Sequence, residues 1–225
     1  MADIIHSDNR PNVKLRLTFS KTGRAVYISH LDLLRTFIRA LRRAQIPVKY
    51  SEGFNPHARI NFAMPLAVGA SSDCELVDIT LTDPIDVAEA VKSLGRVMPE
   101  GLCVKEAELV YGSFPEFKMA RYTLEIENDT PVTELLTQDI MEVFRLMEVL
   151  VEKQTKRKTV MVNILEHIYE FKIQSVNGNM LTVNTLLSAG SEFTLKPDLA
   201  VEGISSACEG FNPVYMRIHR TEMLT

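Results

Sequence analysis

Cysteine is scarce in this chain of 225 residues, and the three present, Cys74, Cys103 and Cys208, are odd in number and far apart. That spacing supports neither a disulfide framework nor a CxxC-type metal or cluster motif, so the thiols read as buried side chains in a reducing compartment. No stretch approaches the about 18 consecutive apolar residues of a membrane-spanning helix, and residues 1–12 are polar, without the apolar run of a signal peptide. The expectation is a soluble cytoplasmic protein with no membrane partner. Phosphate loops of Walker spacing are missing, as are GxGxxG, GxSxG and HExxH. These motifs build a backbone cradle, a nucleophile turn or a zinc-binding helix face, so no cofactor, no metal and no ready-made nucleophile is expected.

What remains is ordinary globular usage, 46% hydrophobic and 24% charged, with no low-complexity tract. At about 100 to 200 residues per domain, the length fits one large domain or two small ones. A net charge of −4 argues against a coat of positive charge, yet the basic residues are unevenly placed. Residues 35–43 hold Arg35, Arg39, Arg42 and Arg43 and no acid, and residues 153–158 hold Lys153, Lys156, Arg157 and Lys158. A mildly acidic protein can offer such local basic faces to phosphate groups. The alternative for each cluster is a solvated helix end, where cations complement the dipole.

Residues 13–19 alternate Val13, Leu15, Leu17 and Phe19 with polar partners, the period of a half-buried strand. Ser29 then caps a helix, with Asp32 three residues on, close to a capping box. Leu31, Leu34, Ile38 and Leu41 share one face of that helix, with Leu33 and Phe37 alongside, and the helix is expected to reach Ala44 because Pro47 stops its continuation. Strands are expected at residues 46–50, 59–64, 75–81 and 103–110, with a polar loop at 51–58 and a helix at 86–97. A second β-α-β-β-α-β half follows: strand 122–127, a long helix within 132–152, extended pieces at 159–164 and 168–176, strand 180–187, helix 199–208 and strand 214–222. Asn177-Gly178 is a hairpin signal. The expected class is α+β, two tandem ferredoxin-like units with antiparallel sheets and helices on one face. They would occupy residues 13–111 and 120–225, with a linker at 112–119 and a flexible lead at 1–12. One continuous sheet across both is the alternative.

Arg35, Arg39 and Arg42 follow at spacings of four and three, so their guanidinium groups share a helix face, with Arg43 one step round. Arginine forks suit phosphate oxygens, and only Asp32 lies within reach as a local partner. His30 and Asp32 sit at the helix start. His30 is a base, a metal ligand or a first-turn residue bonding backbone, but His-x-Asp on a helix is a poor chelate. In the loop, Gly53 and Pro56 bend the chain, while Asn55, His57 and Arg59 with nearby amides would form an anion-accepting concavity. Phe54 is either a stacking platform beside them or a plug over the core. If the halves are symmetric, Lys153, Lys156, Arg157 and Lys158 would line one groove with Arg42 and Arg43. A second Glu-Gly-Phe-Asn-Pro string at 209–213 reads as chance reuse of turn residues.

The strings Lys21-Thr22-Gly23, Ile28-Ser29-His30-Leu31-Asp32, Arg39-Ala40-Leu41-Arg42-Arg43-Ala44, Pro47-Val48 and Ser51-Glu52-Gly53-Phe54-Asn55-Pro56-His57, with Arg35, resemble the radical-SAM-associated bacterial DUF2344 family over most of the chain. The resemblance implies a radical SAM protein as partner, since relatives occur alone or as the C-terminal part of larger radical SAM proteins. With three scattered cysteines this chain cannot supply the cluster of such an enzyme and would be the accessory part alone. Two departures stand out: Ala58 where relatives often carry proline, and Asn163 where they carry an acid.

Three functions compete. The first is an accessory RNA-binding protein of RNA modification or processing, working with a radical SAM partner. Its phosphates would rest on Arg35, Arg39, Arg42, Arg43 and the Lys153 to Lys158 cluster, with Phe54, Asn55, His57 and Arg59 at the substrate. The second is an RNA-acting enzyme in which His30 or His57 exchanges protons and Asp32 orients it. The third is a protein-interaction module docking on a radical SAM enzyme.

Overall fold

Alternation along residues 14–21 does build a strand, β1 (Lys14–Lys21), which inserts Leu15, Leu17 and Phe19 fully into the core. The structure is a computed structural model describing residues 13–154 and 158–225. The expected lead at 1–12 lies outside the described residues, as do Lys156 and Arg157. Two compact units divide the described residues, the first holding those up to residue 65 and 75–114 and the second 66–74 and those from residue 115 on. The described residues carry four α-helices and mostly antiparallel strands, an α+β fold. None of these helices is long and apolar enough to cross a membrane.

In the first unit, β1 leads into α1 (His30–Arg43), β2 (Ile60–Phe62), β3 (Ser71–Thr80), α2 (Val87–Val97) and β4 (Leu102–Val110). The strand β1 lies between β4 and β3, and β2 pairs antiparallel with β3. Ser29 caps α1 as expected: its hydroxyl accepts the Asp32 amide at 3.1 Å and donates to the Asp32 carboxylate at 2.7 Å. The buried stripe of α1 is centred on the residues expected alongside it. Leu33, Phe37, Ala40 and Leu41 face the core, whereas Leu31 is 61% exposed. Phe37 fixes that rotation, since its ring meets Phe19 edge-on at 4.9 Å and Phe62 at 5.5 Å. The strand expected at 46–50 is reduced to single bridges, Val48 to Leu81 and Tyr50 to Ala58. Pro47 has no amide to donate, which interrupts a ladder there.

The second unit contains β5 (Met119–Asn128), α3 (Glu134–Glu142), β6 (Leu150–Gln154), β7 (Thr159–Asn163), β8 (Ile168–Asn177), β9 (Met180–Ser188), α4 (Pro197–Ala207) and β10 (Pro213–Leu224). Its sheet runs β10-β5-β9-β8, each neighbour antiparallel. Ser71 and Ser72 lie parallel to His219 and Arg220, which places the start of β3 in this unit. The long helix expected within 132–152 is a short one. After Glu142 comes one 3-10 turn, Val143–Arg145, and then the hairpin β6–β7. The apolar residues of that stretch change period: Val149 and Val151 are buried at strand spacing, while Met147 stands in solvent. Asn163 fastens the hairpin base by accepting the Val149 amide at 3.0 Å. The hairpin rests against α4 at Gly203, where a Cβ would come within 2.5 Å of Ile164 and 2.8 Å of Val151.

Candidate nucleic-acid interface

The core-facing rotation of α1 turns Arg35, Arg39, Arg42 and Arg43 to solvent. With Thr36, Ile38 and Pro99 they line an open groove of about 690 Å³. Ile38, expected in the buried stripe, is instead part of that lining. Arg35 pairs with Asp32 at 3.0 Å, an exposed i,i+3 contact of small energetic weight. The Ser29 hydroxyl first, and Arg35 second, hold the Asp32 carboxyl below its ordinary range. Arg43 donates to the carbonyl of Val97, the last residue of α2, so its guanidinium plane is tethered. Arg39 and Arg42 form no hydrogen bond or ion pair among the described residues. Four cations thus line one groove whose lining holds no carboxylate, with Asp32 paired to Arg35 beside it. Like charges at i,i+3 and i,i+4 each cost a few tenths of a kcal/mol, a repulsion that a bound anion relieves.

The loop between α1 and β2 is closed rather than slack. Ser51 donates its amide to the His57 carbonyl at 2.9 Å, and the His57 amide donates to the Ser51 hydroxyl at 3.0 Å. Gly53 turns it with φ of 116°, a value that L side chains resist. Phe54 projects from the tip wholly into solvent, so it is not a plug over the core. Asn55, His57 and Arg59 are exposed as well, and their side chains form no hydrogen bond among the described residues.

His30 packs edge-on against Phe62, with ring centroids 5.3 Å apart. No hydrogen bond joins it to Asp32 or His57. The described residues contain no cluster of three or more His, Cys, Asp or Glu suited to a metal ion.

The second basic cluster behaves differently. Lys153 lies on β6 rather than at a helix end, and its ammonium sits 3.5 Å from the centre of the Phe193 ring while donating to the Thr194 carbonyl at 2.7 Å. Burial, then Lys196, pushes its pKa down. His167 stacks on Phe193 at 3.7 Å and 14°, which leaves the opposite face of the ring for Lys153. His167 Nδ1 also meets the Ser188 hydroxyl at 3.1 Å, which Tyr169 reaches at 3.0 Å. Lys158 is exposed.

One polar chain had no local signal. His219 Nδ1 meets the Ser71 hydroxyl at 2.9 Å and His219 Nε2 meets Asp73 at 2.9 Å, within the second unit. The parallel pairing of Ser71 with His219 assembles the three.

An α+β protein carrying an arginine-lined helix groove is the class that this geometry defines. The chain belongs to the DUF2344 family, described as an uncharacterized protein conserved in bacteria, whose model matches residues 14–197. Comparison with curated proteins returns no match. Among solved structures, the chain is similar to one from the archaeal box H/ACA sRNP Nop10-Cbf5 complex, at TM-score 0.50 and 11% identity over 93% of this chain and 48% of that one. A chain of a Cbf5-Nop10-Gar1 complex gives the same values. A chain of an H/ACA RNP bound to a substrate RNA containing 2'-deoxyuridine gives 0.51, 10%, 93% and 47%. This protein therefore spans about half the length of those chains, and the likeness is one of fold.

Proposed function

We propose that the arginine groove of α1 binds the phosphates of RNA and that the protein is a non-catalytic accessory factor in RNA modification or processing. The observation that carries this reading is the convergence of Arg35, Arg39, Arg42 and Arg43 on one groove, with Arg39 and Arg42 unpaired among the described residues. The hydrogen-bonded loop offering Phe54, Asn55, His57 and Arg59 suits contact with exposed bases. A similar fold in chains of H/ACA RNPs, one of them with bound substrate RNA, agrees with an RNA partner. A radical SAM protein as working partner, and a cytoplasmic setting, belong to the same proposal; the partner rests on the family resemblance.

Each unit is read as ferredoxin-like, over 13–111 and 120–225 with a linker at 112–119. The β-α-β-β-α-β order of the first unit supports this, as does the β10-β5-β9-β8 order of the second, with the β6–β7 hairpin inserted before β8.

RNA affinity measured against salt tests the proposal. Changing Arg35, Arg39 and Arg42 together to alanine is expected to flatten the slope of log affinity against log salt by about 2, at roughly 0.7 for each phosphate no longer neutralised. Unaltered affinity and slope would overturn it.

A further inference from the structure

We infer that the α1 groove accommodates an unpaired nucleotide of a single-stranded or looped segment, rather than the backbone of a duplex. The inference rests on the proposed RNA binding and adds the class of RNA. Its basis is the mixed chemistry of the lining. A-form duplex presents phosphates and sugars to a protein, and a flat basic face satisfies it. This groove instead has apolar surface between its cations, from half-buried Ile38 and exposed Pro99. Apolar surface in a basic groove has no role toward phosphate; it matches the face of a base.

Size agrees with that occupant. About 690 Å³ falls within the roughly 300 to 1,000 Å³ of pockets that enclose small organic ligands.

The arginines divide the work. Arg39 and Arg42, three apart on the helix and unpaired among the described residues, are free to close as forks on phosphate oxygens. Arg43 is tethered by a hydrogen bond to the Val97 carbonyl. A tethered guanidinium plane stacks on a base at lower entropic cost than a free one, which a lysine cannot reproduce. Base on Ile38, Pro99 and Arg43, phosphates on Arg39 and Arg42, is the arrangement assigned.

The test titrates the full chain with a mixed-sequence single-stranded RNA oligonucleotide and with the same sequence as a duplex, over a salt series. The intact protein is expected to prefer the single strand. Ile38→Ala is expected to weaken single-strand binding roughly fivefold or more, from the methylenes withdrawn, with the duplex affinity and the salt slope unchanged. Arg43→Lys keeps the charge and is expected to lose part of the same preference at constant slope. A thermal melt of each variant confirms that it folds, and Ile38→Met, which retains apolar bulk, is expected to restore the preference. Equal or better binding of duplex, or Ile38→Ala and Arg43→Lys acting alike on both RNAs, would overturn the unpaired-nucleotide assignment alone. Absence of RNA binding, or indifference to Arg39→Ala/Arg42→Ala, would instead overturn the RNA reading of the groove and this inference with it.

Discussion

The arginines of α1 and Lys153 of β6 each come from a basic run, and folding gives them different surroundings. On α1, four guanidinium groups emerge from the polar side of a helix whose other side is committed to Phe19, Phe37 and Phe62. On that polar side the arginines meet the Val97 carbonyl, Asp32 and the exposed Pro99, and the groove stays open. On β6, the strand period sends Lys153 inward over Phe193, where its charge is held by a ring and a carbonyl. Lys153 is thus engaged within the fold, whereas the α1 arginines face solvent because the helix has another face to bury. Charge density alone does not distinguish the two cases.

The sharpest way to break this contrast is to remove the free cations of α1. Arg39→Ala/Arg42→Ala is expected to lower RNA affinity by on the order of a hundredfold at low salt, two charge-assisted contacts of about 1.5 kcal/mol each, with no change in melting temperature. Next in size, Phe193→Ala removes both faces of the Lys153–His167 stack and is expected to cost about 1 to 3 kcal/mol in denaturant unfolding, while RNA affinity stays within twofold. Lys153→Ala is expected to cost about 1 kcal/mol of stability and to leave RNA binding unchanged; a drop in affinity matching that of Arg42→Ala would erase the distinction.

The smallest effect is in pH. Burial holds the His167 pKa down, with Glu166 opposing and Lys153 adding to the shift. Because the folded state then binds fewer protons than the unfolded state, the stabilising contribution is complete above the unfolded value near 6.5 and is lost as pH falls below it. Asp32, depressed by Ser29 and Arg35, contributes above its unfolded value near 3.9 and loses that contribution only as pH falls through its lower folded value. Melting curves between neutral and mildly acidic pH should therefore decline, and His167→Gln should flatten the decline, whereas Asp32→Asn should leave it intact.

Local patterns were the legible part of this molecule. The alternation of β1, the Ser29 cap, the Asn177-Gly178 turn and the shared face of Arg35, Arg39 and Arg42 each depend on residues within one or two turns of each other. The misreadings came from longer range. Met147 continues a helical apolar spacing and yet is exposed, because the chain beyond Arg145 turns into a hairpin that buries Val149 and Val151 instead. The orientation of α1 about its own axis was set by Phe62, which belongs to another strand. Lys153 meets Phe193, and Ser71 meets His219, across separations that no local period records.

Gly203 carries one more consequence. The hairpin that occupies the space of its missing side chain, through Val151 and Ile164, is bound to α4 by contact and to the loop at 189–194 by Lys153. Its amides should then exchange with deuterium as a single cooperative block rather than fraying strand by strand. Substituting Gly203 with valine, which denies the block its seat, should bring that exchange forward while the amides of β1 keep their pace.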